Sequence, residues 1–171
     1  MELYITCEAR LNETENEEKV RKLLSFLVNG EIKKEERSDG TYLIILTTDE
    51  DSLGNFYETI RTQRLLDTIR TRMLRNKEYE GMTSLYFNRQ ALWGGKLSLV
   101  DFEDNPPLGP VLLQIVAGEN ENINEIIDKI APQTYKGKEL TEEEWKEVKR
   151  KEAERRAREK AKSSRKNRNG G

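Results

Sequence analysis

Histidine is absent from this 171-residue chain, and cysteine occurs once, at Cys7. Without histidine the chain holds no Ser-His-Asp triad, no Cys-His pair and no imidazole-ligated metal. A lone cysteine excludes an intrachain disulfide and a cysteine-based zinc cage. Its place on the apolar side of a strand pattern points to packing rather than to nucleophilic work. Long apolar runs are missing too: none reaches the roughly 18–20 residues that span a bilayer, and the start Met1-Glu2-Leu3-Tyr4 lacks a secretory pattern. The expected home is the cytoplasm, with no membrane partner. Aromatic side chains make up only 7% of the chain, so recognition of single strands by stacking ranks low.

What is abundant is charge. Charged residues are 36% and hydrophobic ones 35%, which suits a small core with much solvated surface. The net charge of −2 hides an uneven distribution. Residues 61–77 carry 6 basic side chains and one acid, and residues 149–168 carry 11 basic and 3 acidic ones. On one continuous helix Arg61, Arg64, Arg72 and Arg75 would fall within roughly an 80° arc, beside an apolar arc of Leu65, Leu66, Ile69 and Met73. Such a helix packs on one side and offers guanidinium groups to phosphate on the other. The plainer reading is a solvated face paired with Glu58 and Asp67. Arg70 lies across the apolar side from the other four.

Periodicity supplies the element order. Leu3, Ile5, Cys7 and Ala9 alternate as a strand, and Thr14-x-x-Glu17 opens a helix through Val20, Leu23, Leu24 and Leu27. A polar strand near 31–37 lies at a sheet edge or projects. Asp39-Gly40 is a two-residue hairpin signal leading into a strand over 41–48. Asp49, Glu50, Asp51 and Ser52 cap a helix with Leu53, Phe56, Tyr57 and Ile60 on its apolar face. That helix either runs on to Arg75 or breaks near Thr62-Gln63. Strands are expected at 83–88 and 96–100, around a turn at Arg89-Gln90 and the loop Trp93-Gly94-Gly95. A stiff connector, Asn105-Pro106-Pro107-Leu108-Gly109-Pro110, precedes a fully buried strand over 111–117. Asn122-x-x-Glu125 starts a helix ending at Pro132. Thr141-x-x-Glu144 starts a charged, projecting helix, and residues 163–171 read as disordered.

The fold class expected is α+β: a mostly antiparallel sheet packed by helices in the order β-α-β-β-α-β-β-β-α, with a charged C-terminal helix. Residues 1–135 form the domain and 136–171 the tail.

Three blocks carry a resemblance: Gln63-Arg64-Leu65-Leu66-Asp67-Thr68-Ile69-Arg70, then Phe87-Asn88-Arg89-Gln90-Ala91, then Pro107-Leu108-Gly109-Pro110. In that order they resemble the pattern of an uncharacterised archaeal conserved family of predicted RNA-binding proteins. Its fold is similar to the double-stranded-RNA-binding domain and to ribosomal large-subunit protein five. Leu92 stands where that pattern has a second small residue. The resemblance implies RNA binding over about residues 1–135. Some members are joined to a P-loop kinase-like domain, but no G-x-x-x-x-G-K-[ST] segment occurs here.

Site candidates follow. Arg61, Arg64, Arg72 and Arg75 are candidates for RNA phosphates. Asn88, Arg89, Gln90 and Lys96, with Trp93, could hydrogen-bond to and stack on bases, or form a loop held by its own backbone bonds. The acidic groups at 49–51 and at 101–104 could hold a hard metal for phosphodiester cleavage, but helix capping and a solvated turn explain them better. The tail could lie along phosphates, dock on an acidic partner, or stay a solvated extension. The expectation is non-catalytic binding of structured or double-stranded RNA, with no cofactor and no metal. Ribosomal or RNA-processing proteins are candidate partners, and a homodimer is compatible with the sequence. A protein-interaction module is the alternative, and a metal-dependent nuclease ranks third.

Overall fold

The computed structural model describes residues 1–104 and 106–169. It divides into two compact units, residues 1–133 and residues from 134 onward. In the first, six strands form one antiparallel sheet in the order β2-β3-β1-β6-β4-β5. The strands are β1 (Leu3–Leu11), β2 (Ile32–Arg37), β3 (Gly40–Thr47), β4 (Met82–Phe87), β5 (Leu99–Val100) and β6 (Val111–Ala117). The helices are α1 (Glu17–Leu27), α2 (Gly54–Thr62), α3 (Leu66–Arg75), α4 (Arg89–Trp93) and α5 (Ile123–Ile130). The α+β architecture expected from periodicity is the one observed.

Central β1 sits between β3 and β6, with Cys7 opposite Ile45 on one side and Leu113 on the other. Its period-two alternation turns Leu3, Ile5, Cys7 and Ala9 toward the helices, where each is buried. Their core partners come from the apolar stripes of α1, α2, α3 and α5, including Leu24, Phe56, Ile69 and Ile127. Each such side chain contributes about 1.5–3 kcal/mol on burial. Phe56 meets Phe87 edge to face, ring centroids 6.1 Å apart, and so ties α2 to β4. Burial and charge interaction with Glu8 raise the Cys7 thiol well above its ordinary range. The other sheet face carries Tyr4 and Leu46 exposed, with Tyr42 half-buried. β6 therefore alternates buried and half-buried positions; its apolar run is a central strand with one covered face, not one buried on both. Strand β2 lies at the edge as expected, and its Lys33, Lys34, Glu35 and Glu36 guard that edge against further pairing.

Several boundaries differ from the sequence reading, for local reasons. Asn16, not Thr14, caps α1, its side-chain oxygen accepting from the Glu18 amide at 2.9 Å. The hairpin pairs Arg37 with Gly40, so Ser38 and Asp39 form the turn and Gly40 (φ +143°) opens β3. Arg89-Gln90 is the first turn of α4 rather than a bend. The strand expected over 96–100 shrinks to β5. The proline-rich connector begins at Asn105, outside the described residues; its later part turns through Leu108 and Gly109, both at positive φ.

The second unit holds a hairpin that periodicity missed, β7 (Thr134–Tyr135) with β8 (Lys138–Glu139), turning at Lys136-Gly137 with both φ positive. Helix α6 then runs Glu142–Asn169, so most of the segment expected to be disordered is helical, and Gly170 and Gly171 lie outside the described residues. Alanines at 153, 157 and 161 and the pairs Arg150–Glu154 and Arg155–Glu159 favour helix there. The Thr141 hydroxyl accepts from the Glu144 amide at 3.2 Å, as its capping box requires. Tyr135 packs edge to face on Trp145 at 6.2 Å.

Candidate nucleic-acid interface

The four arginines are not on one helix. Helix α2 ends at Thr62 and α3 begins at Leu66, with Arg64 between them in the left-handed region at φ 56°. The Leu65 amide donates back to the Ile60 carbonyl at 2.7 Å, and the Arg64 amide donates to Arg61 at 3.1 Å. This pair of bonds is the Schellman arrangement, in which glycine is the usual left-handed residue. Here arginine occupies it, and no glycine or proline marks the break in the sequence. Leu65 packs partly buried against the core that holds Ile60.

The break frees Gln63 to do something sequence reasoning missed. Its amide nitrogen donates to the Gly95 carbonyl at 2.7 Å, and its amide oxygen accepts from the Leu97 amide at 3.0 Å. One side chain thus clamps the loop after α4 on both sides of Lys96. Arg64 and Lys96 are brought to the same edge, both exposed, and among the described residues neither side chain has a hydrogen bond or ion pair. Arg61 is half-buried and donates to the Tyr57 carbonyl at 3.0 Å.

Arg72 and Arg75 do share a face of α3, with an internal counter-ion. Arg72 Nη1 lies 2.9 Å from the Asp101 carboxylate, and Arg75 Nη2 pairs with the same oxygen. Two guanidinium groups thus share one carboxylate oxygen. The expected partners Glu58 and Asp67 are not the ones these two arginines use. Arg75 also lines a shallow groove of about 360 Å³ with Asn76, Lys77, Glu78, Ser84 and Tyr86, and Lys77 donates to the Asn124 side-chain oxygen at 2.7 Å. Arg70 turns away, donating to the Ala131 carbonyl at 3.1 Å and pairing with Asp128 at 2.6 Å, which ties α3 to the end of α5.

The loop candidates divide. Asn88 caps α4, its side-chain oxygen accepting from the Ala91 amide at 3.1 Å. Arg89 is 1% exposed and is no surface group. It pairs with Glu15 at 2.7 Å and donates to the Arg10 carbonyl at 2.9 Å. Arg89 must be buried because α4 turns its first residue inward, toward the chain between β1 and α1. Burial pulls the Glu15 carboxyl up, but bonds from Asn12 and Arg89 outweigh it and hold the group below its ordinary range. Gln90 and Lys96 are exposed, and Trp93 is 45% exposed. Leu92, at the position that departs from the family pattern, is buried in the core. The blocks also join one another: Asn12 donates to Glu15 and to the Leu108 carbonyl, linking Arg89 to the Pro-Leu-Gly-Pro turn.

The carboxylates have structural employment. Asp49 caps the turn before α2, Asp101 holds the two arginines, and Asp104 accepts from the Asp101 amide at 2.8 Å. Among the described residues no group of three acidic, histidine or cysteine side chains is placed to hold a metal ion. Nor is any helix among them long and apolar enough to cross a membrane.

A one-sided antiparallel sheet packed by helices, with Arg64 and Lys96 exposed beside a helix break, defines an α+β domain. A family model described as RNA binding matches residues 4–117, and the chain belongs to that RNA-binding family. It is similar to the UPF0201 protein of Methanopyrus kandleri, 33% identical over 135 residues, spanning 75% of this chain and 84% of that protein. The UPF0201 protein of Sulfurisphaera tokodaii is 33% identical over 139 residues, spanning 81% and 93%. Among solved structures, the UPF0201 protein of Methanococcus jannaschii superposes with a TM-score of 0.65 at 26% identity, covering 82% of this chain and all of that one. These archaeal relatives bear out the family that the three blocks resemble.

Proposed function

We propose that the first unit binds structured RNA without catalysing a reaction on it, in the cytoplasm, within a ribosomal or RNA-processing assembly. The observation that carries this reading is the edge made by Gln63, where Arg64 and Lys96 stand exposed and, among the described residues, unpaired. Arg75 and Lys77 stand at a second groove, where they outnumber its one acid, Glu78. Arginine suits a phosphate because its planar fork donates two hydrogen bonds and keeps its charge at any physiological pH. An A-form duplex presents phosphates and 2′-hydroxyls across a shallow minor groove, so shape and charge guide the docking.

Anisotropy titrations against duplex and hairpin RNA at several salt concentrations test the proposal. With 4–6 phosphate contacts the log–log slope should be on the order of −4 to −5. Absence of binding at low salt would sink it. So would binding unchanged when Arg61, Arg64, Arg72 and Arg75 become Glu in a protein whose circular dichroism is native. Magnesium- or manganese-dependent cleavage of the RNA would instead favour a nuclease.

A protein-interaction module is the second reading, supported by the exposed Leu46 (67%) and Tyr4 on the uncovered sheet face. Pull-downs with nuclease treatment separate the two, because a protein partner would survive digestion of all RNA.

A further inference from the structure

The α1 helix and the α4 loop enclose a groove that the phosphate-binding edge does not use. Lys19, Lys22, Leu23 and Phe26 follow one another at helical spacing, so one stripe of α1 faces it. Leu92 and Trp93 of α4 form the opposite wall, and the volume is about 490 Å³, within the roughly 300–1,000 Å³ typical of small-molecule sites. Its floor is apolar, Leu23 and Leu92 being buried, while Phe26 and Trp93 leave ring surface at the opening. At its α1 rim both lysines are exposed, and among the described residues neither ammonium has a partner. Gly95 closes the end in a left-handed conformation (φ +75°), with nothing within 4 Å of where a Cβ would stand.

We propose that this groove takes an unpaired nucleotide of the bound RNA, its base against Trp93 and Phe26 and its flanking phosphates on Lys19 and Lys22. The proposal rests on the RNA-binding reading and deepens it. Three observations select this occupant. Flat aromatic surface beside an apolar floor suits the face of a base, which stacks regardless of its identity. Two unpaired cations on the rim suit the phosphates on either side of it. Gln63 holds the Trp93-Gly94-Gly95-Lys96 loop by two bonds, so the wall is set before the ligand arrives. A base inside a continuous A-form duplex is stacked and cannot enter, so the groove would read a bulge or a hairpin loop while Arg64, Arg75 and Lys96 hold the adjoining stem.

The test uses the full chain with Trp145→Phe, which leaves Trp93 as the sole indole. Its probes are a blunt RNA duplex, the same duplex with a bulged nucleotide, and polyglutamate as an acidic polypeptide. The bulged RNA should bind roughly tenfold tighter than the blunt one and quench Trp93 fluorescence. Trp93→Leu, which keeps apolar bulk in the wall, and Lys19→Glu with Lys22→Glu, which leaves the wall untouched, should each erase that preference while the blunt duplex still binds. Equal affinity for the two RNAs, or a preference that survives Trp93→Leu, overturns the nucleotide groove and leaves the phosphate edge standing. Failure to bind either RNA overturns both. Quenching by polyglutamate but not by bulged RNA assigns the groove to an acidic protein segment instead.

Discussion

Arg72 and Asp101 lie 2.9 Å apart, and Arg75 shares the same carboxylate oxygen. The basic face of α3 therefore carries its own competitor for phosphate. Asp101→Asn removes the counter-charge and should tighten RNA binding about two- to fivefold, the range expected for loss of an exposed pair. The log–log salt slope should steepen by about one. Anisotropy titrations of both proteins on the same duplex check this. Unchanged affinity would mean that Arg72 and Arg75 do not face the RNA.

Arg64 invites a variant whose effects on stability and binding have opposite signs. A left-handed residue other than glycine costs about 1–2 kcal/mol, and glycine gives back about 0.5–1 through the flexibility of the unfolded chain. Arg64→Gly should therefore stabilise the domain by roughly 0.5–1 kcal/mol and raise Tm by about 2–4 °C. The same change removes an exposed guanidinium, so affinity should fall and the salt slope flatten by about one. Calorimetry and titration read the two effects separately.

The break at Arg64 also shows where sequence reasoning stops. Strand β1 and helices α1 and α5 are legible because each buries one face, and burial imposes a period of two or 3.6 on the apolar residues; β3 is announced by the turn before it, and β6 by an apolar run that hides which face is covered. The break between α2 and α3 imposes no such period. Leu65 and Leu66 continue the apolar stripe across it, and Arg64 adopts positive φ without the glycine that would announce it. The site suffered more than the fold. Arg89 reads as a base-contacting loop residue because arginine in a loop usually is exposed, and its partner Glu15 lies far off along the chain. Gln63 reads only as part of a family block and as one side of a possible helix break, because a side-chain clamp onto backbone leaves no pattern. Lys19 and Lys22 sat on a helix read for its core residues alone.

Gln63 can be tested through the loop it holds. Gln63→Ala leaves the Gly95 carbonyl and the Leu97 amide without their partner, at a cost of about 1–2 kcal/mol. Hydrogen exchange at the Leu97 amide should accelerate, while the amides of β1 and β6 keep their protection. Gln63→Glu should be no better, since a carboxylate accepts from Leu97 but cannot donate to Gly95. If the loop amides exchange at the native rate in Gln63→Ala, the clamp does not set the loop.

Glu15 and Arg89 form a buried pair whose guanidinium is only partly satisfied, since among the described residues its Nε and Nη2 have no hydrogen-bond partner. Breaking such a pair strands a charge, so Arg89→Met alone should cost about 3–5 kcal/mol. Adding Glu15→Gln removes the stranded carboxylate yet keeps an oxygen to accept from Asn12. The double variant should then be less destabilised than the sum of the two single ones, by at least about 1 kcal/mol. Acid titration gives an independent reading. The Glu15 carboxyl is held below its ordinary range in the fold, so its stabilisation is complete above the unfolded pKa of about 4.3. It fades as pH falls through the lower folded value, because the unfolded chain takes up the proton first. Urea midpoints measured from pH 7 downward should drop less steeply below about pH 4.3 in Glu15→Gln than in the native protein. Parallel curves would remove Glu15 from the acid response and, with additive single variants, would dissolve the proposed coupling to Arg89.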